Sequence, residues 1–219
     1  PVVTYVNTTA DVKAETDICC TSANAVQVVE WAAKEWKSDT VIMIPDEYLA
    51  RNVAANTDVR ILSWKGACEV HERFTAEDVD ALREAHPGVI ILTHPESPSA
   101  VVKAADFAGS TAAMADYVKR EKPAKAVLLT ECSMSDNVAV EAPATQFVRP
   151  CNLCPHMKRI NLRNIYDALK HERHAVEVDP DIAERARKSV QRMLDLPKPD
   201  KPAGFDPSRE AGPIELVTV

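Results

Sequence analysis

Two short polar groups in this sequence have side chains suited to moving protons. Tyr5 and Asn7 close an apolar run near the start of the chain, and His94 and Glu96 close a similar run in its middle. An imidazole that titrates near neutrality, placed beside a carboxylate, suits general acid–base catalysis. The alternative is that a histidine and a glutamate at the end of a strand only solvate a loop.

Two hydroxyl-rich segments each precede an apolar helical run. One contains Ser22, and the other contains Ser110 and Thr111. Hydroxyls, together with the free amides of a first helical turn, can bind a carboxylate or a phosphate. Serine and threonine are also ordinary N-caps, and only their recurrence in both halves of the chain favours an anion site.

Two cysteines, Cys68 and Cys154, each lie in a loop after a predicted strand. Thiols at matching positions could share one metal centre, and an iron–sulfur cluster held by three cysteines keeps one iron open as a Lewis acid. Cys151 forms a C-x-x-C spacing with Cys154, which is equally compatible with zinc or redox chemistry. The alternative is a structural zinc site made by Cys68, His71, Cys151 and Cys154.

The other three cysteines are predicted to be buried thiols. Cys19, Cys20 and Cys132 lie in mostly apolar or hydroxyl-rich surroundings, where cysteine behaves as a small hydrophobic residue. Six cysteines in a chain this long, two of them adjacent, indicate metal ligands and buried thiols more than a disulfide framework.

Short β-rich runs alternate with amphipathic helical patterns along the chain. The first strand-like runs lie at 2–6, 41–44 and 59–63, and the helical patterns between and after them at 23–36, 47–55 and 76–85. This alternation predicts an α/β fold with parallel sheets covered by helices. Ligands in such folds bind outside the carboxyl ends of the strands, where the polar candidates lie.

The same pattern restarts at about residue 89, which indicates an internal repeat. Four pairs of positions align at an offset of 85 to 89 residues: Tyr5 with His94, Ser22 with Thr111, Asn52 with Asn137, and Cys68 with Cys154. We therefore predict two three-layer α/β/α units, over 1–86 and 87–170. The alternative is two generic α/β layers that resemble each other by chance.

The end of the chain predicts a helix and a tail. Within 171–196, Asp179 and Pro180 supply an N-cap and a first-turn proline, and Ile182, Ala186, Val190 and Met193 then share one helical face. Proline, lysine and aspartate dominate 197–219, which predicts a mobile tail.

Composition excludes several classes of function. The 219 residues are 46% hydrophobic and 27% charged, with a net charge of −7 and no long basic run, so we expect no nucleic-acid or membrane partner. The five glycines cannot form a G-x-G-x-x-G or Walker loop. The apolar stretches are strand-sized, so we expect a soluble, intracellular protein that acts on small metabolites.

Several motifs, in this order, resemble quinolinate synthase. They are YVNTTA at 5–10, CTSANA at 20–25, PD at 45–46 with LA at 49–50, HPE at 94–96, GST at 109–111, TE at 130–131 and CP at 154–155. The resemblance runs from Pro1 to about Leu196.

The resemblance implies three similar α/β/α domains around a pseudo-threefold axis, with one [4Fe–4S] cluster held by a cysteine from each domain. Cys68 and Cys154 match the second and third ligands, and Cys151 is by the same matching a neighbour. The first domain has no counterpart here, so the chain is expected to be a fragment or a truncated member. An inert module without metal is a further alternative, because a cleft with two of three walls is open to water.

The resemblance also implies an activity: condensation of iminoaspartate with dihydroxyacetone phosphate to quinolinate, with loss of phosphate and water, in cytoplasmic NAD biosynthesis. It implies a functional link to L-aspartate oxidase. Tyr5, His94 and Glu96 would transfer protons and contact the substrate, and the open iron would bind substrate oxygens. The residues that would hold carboxylate or phosphate are Asn7, Ser22, Ser110 and Thr111.

Overall fold

A computed structural model describes residues 1–150, 152–198, 204–210, 212 and 214–217. The strands are β1 (Val2–Tyr5), β2 (Ile18–Cys20), β3 (Thr40–Ile44), β4 (Arg60–Trp64), β5 (Ile90–Thr93), β6 (Phe107–Gly109), β7 (Lys125–Leu129), β8 (Gln146–Val148), β9 (Gly204–Phe205) and β10 (Ile214–Val217). The helices are α1 (Ala10–Ala14), α2 (Ala25–Glu35), α3 (Glu47–Ala54), α4 (Ala76–Ala85), α5 (Ser99–Ala104), α6 (Thr111–Glu121), α7 (Ser133–Glu141), α8 (Leu162–His171) and α9 (Pro180–Asp195), with a 3-10 turn at Met157–Arg159.

The strands form two sheets with the same internal order. One sheet runs β10-β4-β3-β1-β2 and the other β8-β7-β5-β6-β9, so β1 to β4 correspond one by one to β5 to β8. The paired strands are parallel, apart from the antiparallel pair of β6 with β9. The predicted α/β fold with repeated parallel units is confirmed. The four main strands of each sheet lie within 1–86 and 87–170 respectively.

Helices cover both faces of the second sheet. Successive residues of a strand point to opposite faces, and neighbours such as Leu128 and Leu129 accordingly belong to different apolar clusters. Leu129 packs with residues of α4 and α5, and Leu128 packs with residues of α6 and α7. Near-continuous apolar strands such as β7 are typical of a parallel sheet buried on both sides.

The C-terminal helix α9 packs on the first unit. The predicted inward face is confirmed, because Ala186 is buried and Ile182, Val190 and Met193 are partly buried. The buried Ser189 hydroxyl donates to the carbonyl of Lys13 at 2.9 Å, and the Arg192 guanidinium donates to the carbonyl of Asp17 at 2.6 Å. These bonds satisfy carbonyls at the end of α1 and in the turn before β2.

The described part of 197–219 differs from the mobile tail that its composition predicts. β10 extends the first sheet parallel to β4, and β9 pairs antiparallel with β6. Proline and lysine are abundant here and do not predict the two short β-strands. The backbone groups of these strands hydrogen-bond to the edge strands of the two sheets. Gly204 permits the pairing of β9 with β6, because a Cβ there would lie 2.7 Å from the Phe107 ring.

None of the described helices is long and apolar enough to cross a membrane.

The docking of α9 can be tested by substitution on its two faces. Ala186→Arg places a charge against α1, so we expect the free energy of unfolding to fall by about 2–4 kcal/mol and the amides of α9 to lose protection from hydrogen exchange. Leu194→Arg is the matched control, because Leu194 is 62% exposed, and its effect should stay within about 0.5 kcal/mol. Equal protection of α9 in both variants would contradict this docking.

Candidate active site

The carboxyl ends of strands from both sheets open on one cavity of about 580 Å³. Seven of the nine predicted site residues line it: Tyr5, Asn7, Cys68, His94, Glu96, Thr111 and Cys154. The other two support it from behind. The Ser22 hydroxyl hydrogen-bonds His94 Nε2 at 3.0 Å, and the Ser110 hydroxyl caps α6 by accepting from the amide of Ala113. The repeat therefore brings the two polar groups together in one cleft.

Three buried side chains form the polar centre of the cavity. Glu96 Oε2 lies 3.0 Å from His71 Nδ1 and 3.5 Å from His94 Nδ1. The two imidazole rings stack with centroids 4.5 Å apart, and the other nitrogen of His71 hydrogen-bonds the Thr130 hydroxyl at 2.9 Å. His71 follows β4 of the first unit, whereas His94, Glu96 and Thr130 belong to the second unit. The sequence predicts His71 only as a zinc ligand, because its carboxylate partner is distant along the chain.

The two stacked histidines have opposite protonation states. Burial, together with the neighbouring His71 cation, lowers the pKa of His94 to about 3, so its ring is neutral. Burial also opposes a charge on His71, but interactions with Cys68 and Glu96 outweigh it and raise the pKa of His71 to about 9. The same interaction with His71 outweighs burial at Glu96 and lowers the pKa of that carboxyl. The site therefore holds a His71–Glu96 ion pair beside a neutral His94.

Tyr5 faces this ion pair as a neutral phenol. Burial and the charge of Glu96 raise the pKa of Tyr5 to about 12. The phenol keeps its proton and remains a hydrogen-bond donor at the carboxyl end of β1.

The loops that carry Cys68 and Cys154 are fastened to each other. The Asn152 side-chain amide donates to the carbonyl of Val70 at 3.2 Å, and His156 Nε2 lies 2.8 Å from Glu69 Oε1. The two thiols, one from each unit, therefore line one cavity, and two contacts connect the loops that carry them.

A buried acid follows β3 in the first unit and β7 in the second, and each acid holds a cysteine loop. Asp46 accepts from the amide of Leu49 at 2.6 Å and from the amide of Cys68 at 2.9 Å, and burial raises its pKa to about 7. At the matching position, Glu131 lies 3.3 Å from the Lys158 ammonium, and the Lys158 amide donates to the carbonyl of Cys154. Asp46 belongs to the motif PD and Glu131 to the motif TE, but the sequence alone predicts no chemical role for either residue.

The loop of His94 and Glu96 is held from the other unit. The buried Asn52 of α3 donates its side-chain amide to the carbonyls of Pro95 at 2.6 Å and Ser97 at 3.1 Å. From the sequence, Asn52 is recognisable only as a repeat position aligned with Asn137. Its hydrogen bonds to the other unit could not be predicted, because they depend on how one unit packs against the next.

The remaining cysteine predictions have mixed outcomes. Cys19 and Cys20 are buried, as predicted, but Cys132, at the N-cap of α7, is only partly buried. Cys151 lies outside the described residues. Within the described part of the chain, Cys68 and His71 form a group of possible metal ligands with Glu96, and Cys154 is not a member of that group. The proposed four-residue zinc site thus gains no support from the described residues.

Comparison with known proteins identifies the family. Residues 1–195 match the family described as quinolinate synthetase A protein. The chain belongs to this family. The resemblance drawn from the motifs is confirmed, and residues of the motifs YVNTTA, HPE, GST, TE and CP line the cavity described above.

Quinolinate synthases from several bacteria are similar to this chain. The enzyme of Caulobacter vibrioides (strain NA1000 / CB15N) is 66% identical over 219 residues, which is 99% of this chain and 60% of that protein. Quinolinate synthase 1 of Mesorhizobium japonicum is 67% identical over 194 residues, 89% of this chain and 59% of that protein. The quinolinate synthase of Agrobacterium fabrum is 64% identical over 196 residues, 90% of this chain and 56% of that protein. The chain thus spans about 60% of the length of the curated relatives it matches.

The neutral state of His94 can be measured by NMR titration of the ring nitrogens in the metal-free protein. Because its pKa is lowered to about 3, His94 should show no titration between about pH 5 and 8, where an ordinary histidine does. His71 should stay charged over the same range, and Glu96→Gln should lower the pKa of His71 by removing the facing charge. A His94 midpoint between about pH 5 and 8 would refute the assignment.

The hold of Asp46 on the Cys68 loop predicts a change in thiol reactivity. Asp46→Ser keeps an N-cap for α3 but is too short to reach the Cys68 amide. Loss of one hydrogen bond of about 1 kcal/mol should raise the iodoacetamide alkylation rate of Cys68 about fivefold.

Asp106→Ser is the matched control for this measurement, because Asp106 binds the backbone amide of Ile91 at 2.8 Å, outside the cysteine loops. It should leave Cys68 alkylation unchanged. Equal rates in the two variants would show that Asp46 does not restrain the loop.

Proposed function

We propose that the complete protein condenses iminoaspartate with dihydroxyacetone phosphate to give quinolinate in cytoplasmic NAD biosynthesis. The observation that carries this proposal is the convergence of Cys68, Cys154 and the His71–Glu96–His94 group on one cavity. Membership of the quinolinate synthetase A family supports it. The imine substrate requires an amine-oxidising enzyme as its source, for which we propose L-aspartate oxidase.

The donor set of the cavity fits a [4Fe–4S] cluster. Cys68 and Cys154 would be two of its three protein ligands, since thiolates are the ligands that such clusters take. The third would correspond to the part of the relatives' length that this chain does not match. When bound, the cluster would supply an open iron that acts as a Lewis acid toward substrate oxygens.

The protein side chains divide the proton transfers among them. The condensation includes dehydrations and tautomerisations, and each needs a base and an acid at hydrogen-bond distance. His94 is neutral and, with its pKa lowered to about 3, is a weak proton acceptor, whereas Tyr5 and the His71 cation hold protons that they can donate. Glu96 Oε2 contacts Nδ1 of both imidazoles and stabilises a positive charge on whichever ring carries it.

Both substrates are anions, and the cavity offers them positive and hydrogen-bonding groups. Thr111 begins α6, whose first amides point toward the cavity end of the helix and favour a carboxylate or phosphate. Asn7 offers a side-chain amide at the end of β1. The His71 cation adds the buried positive charge in a chain whose net charge is −7.

The proposal is tested by anaerobic iron and sulfide analysis of the complete protein. We expect about four irons and four sulfides with a broad brown absorbance. Cys68→Ala and Cys154→Ala should each abolish iron binding, because each removes a thiolate ligand. Cys151→Ala is the matched control and should keep the cluster.

Two outcomes would overturn this assignment. Iron retained after Cys68→Ala would remove Cys68 from the ligand set. Stoichiometric zinc without sulfide in the unmodified protein would exclude the iron–sulfur mechanism.

A further inference from the structure

Three side chains of different chemistry converge at the inner wall of the cavity. One thiol, one imidazole nitrogen and one carboxylate oxygen, from Cys68, His71 and Glu96, lie within 4.8 Å of one another. They come from both units, since Cys68 and His71 follow β4 and Glu96 follows β5. Cys154 lines the same cavity but lies outside this group.

The His71 ring is oriented as a metal ligand would be. It is 7% exposed, and its Nε2 is held by the Thr130 hydroxyl at 2.9 Å. Its Nδ1 faces Glu96 Oε2 at 3.0 Å, so a metal bound there would displace the proton that Nδ1 directs at this carboxylate. Histidine ligands of metals are typically fixed in this way, with one nitrogen held by a neighbour and the other directed at the ion.

We propose that the cluster-free site binds one Zn²⁺ ion through Cys68, His71 and Glu96, with its fourth position open to the cavity. A thiolate, an imidazole and a carboxylate together are the ligand types that zinc takes, whereas Mg²⁺ and Ca²⁺ prefer oxygen alone. Three protein ligands with one open position is the arrangement of zinc sites that can bind a further molecule. Zinc–ligand distances are about 2.0–2.3 Å, so the three side chains need to close only slightly.

This zinc site does not depend on the proposed function, but its consequence does. Cys68 belongs to both ligand sets, so zinc and an iron–sulfur cluster cannot occupy the protein together. Bound zinc should therefore block cluster assembly, while Cys154 remains unused. The effect of zinc on cluster assembly rests on the proposed function, whereas the zinc site itself rests on the geometry alone.

Zinc binding is measured on the complete protein after removal of iron and sulfide, by competition with a chromophoric chelator. We expect one zinc per chain. Cys68→Ser, His71→Gln and Glu96→Gln should each weaken binding by more than the factor of about 10–100 that is typical for loss of an outer-shell partner. Thr130→Val removes only the outer partner of His71 and should weaken binding by that smaller factor.

Cys154→Ser is the matched control, because it removes a thiol of the same cavity that is not in the proposed set. It should leave zinc affinity unchanged, and circular dichroism of each variant verifies that the fold is intact. Co²⁺ in place of zinc should give a thiolate-to-cobalt absorption that disappears in Cys68→Ser and persists in Cys154→Ser.

Three results would overturn the zinc site. Equal weakening by Cys154→Ser would indicate a site with two thiols, and unchanged affinity in both His71→Gln and Glu96→Gln would remove those ligands. Binding of less than one zinc per chain would leave no specific site. Absence of a cluster from the untreated protein would contradict the proposed function and leave the zinc measurement intact.

Discussion

The contact between the two units is the constraint on which the cavity depends. Asn52 donates one buried side-chain amide to two carbonyls of the other unit, at Pro95 and Ser97. A buried amide that loses its partners costs about 1–3 kcal/mol, so this contact favours a single packing of the units. The loop of His94 and Glu96 lies at that contact, and the site geometry therefore follows from the packing of the repeat.

Burial then assigns different charges to chemically identical groups. His71 and His94 stack at 4.5 Å, and two adjacent imidazolium rings would repel each other. Glu96 can stabilise one cation at close range, and its contact with His71 is shorter than its contact with His94. His94 instead bonds the neutral Ser22 hydroxyl and stays neutral. One carboxylate and two rings thus give the site one charged imidazole and one neutral imidazole near neutral pH.

The sequence predicted those features that depend on local pattern. Apolar strand periodicity and its restart gave the α/β repeat, and the repeat gave Cys68, Cys154, His94 and Glu96 as neighbours. The roles of Asp46 and Asn52 could not be predicted, because each acts through a backbone group that is remote in the chain. β10 was missed for a related reason: a short strand at an edge is stabilised by the sheet it joins, and its own composition carries little signal.

Duplication also explains why the cavity offers two proposed sets of metal ligands. Each unit contributes one cysteine after its fourth strand, and the acids at Asp46 and Glu131 hold the two loops by different contacts. The proposed cluster would use the two equivalent thiols, whereas the proposed single ion would use the nearby ligands of mixed type, Cys68, His71 and Glu96. Only the first unit places a buried histidine three residues after its cysteine, and only the second places a glutamate opposite it. The equivalence of the repeats thus underlies the proposed multinuclear centre, and their divergence at His71 and Glu96 underlies the proposed mononuclear one.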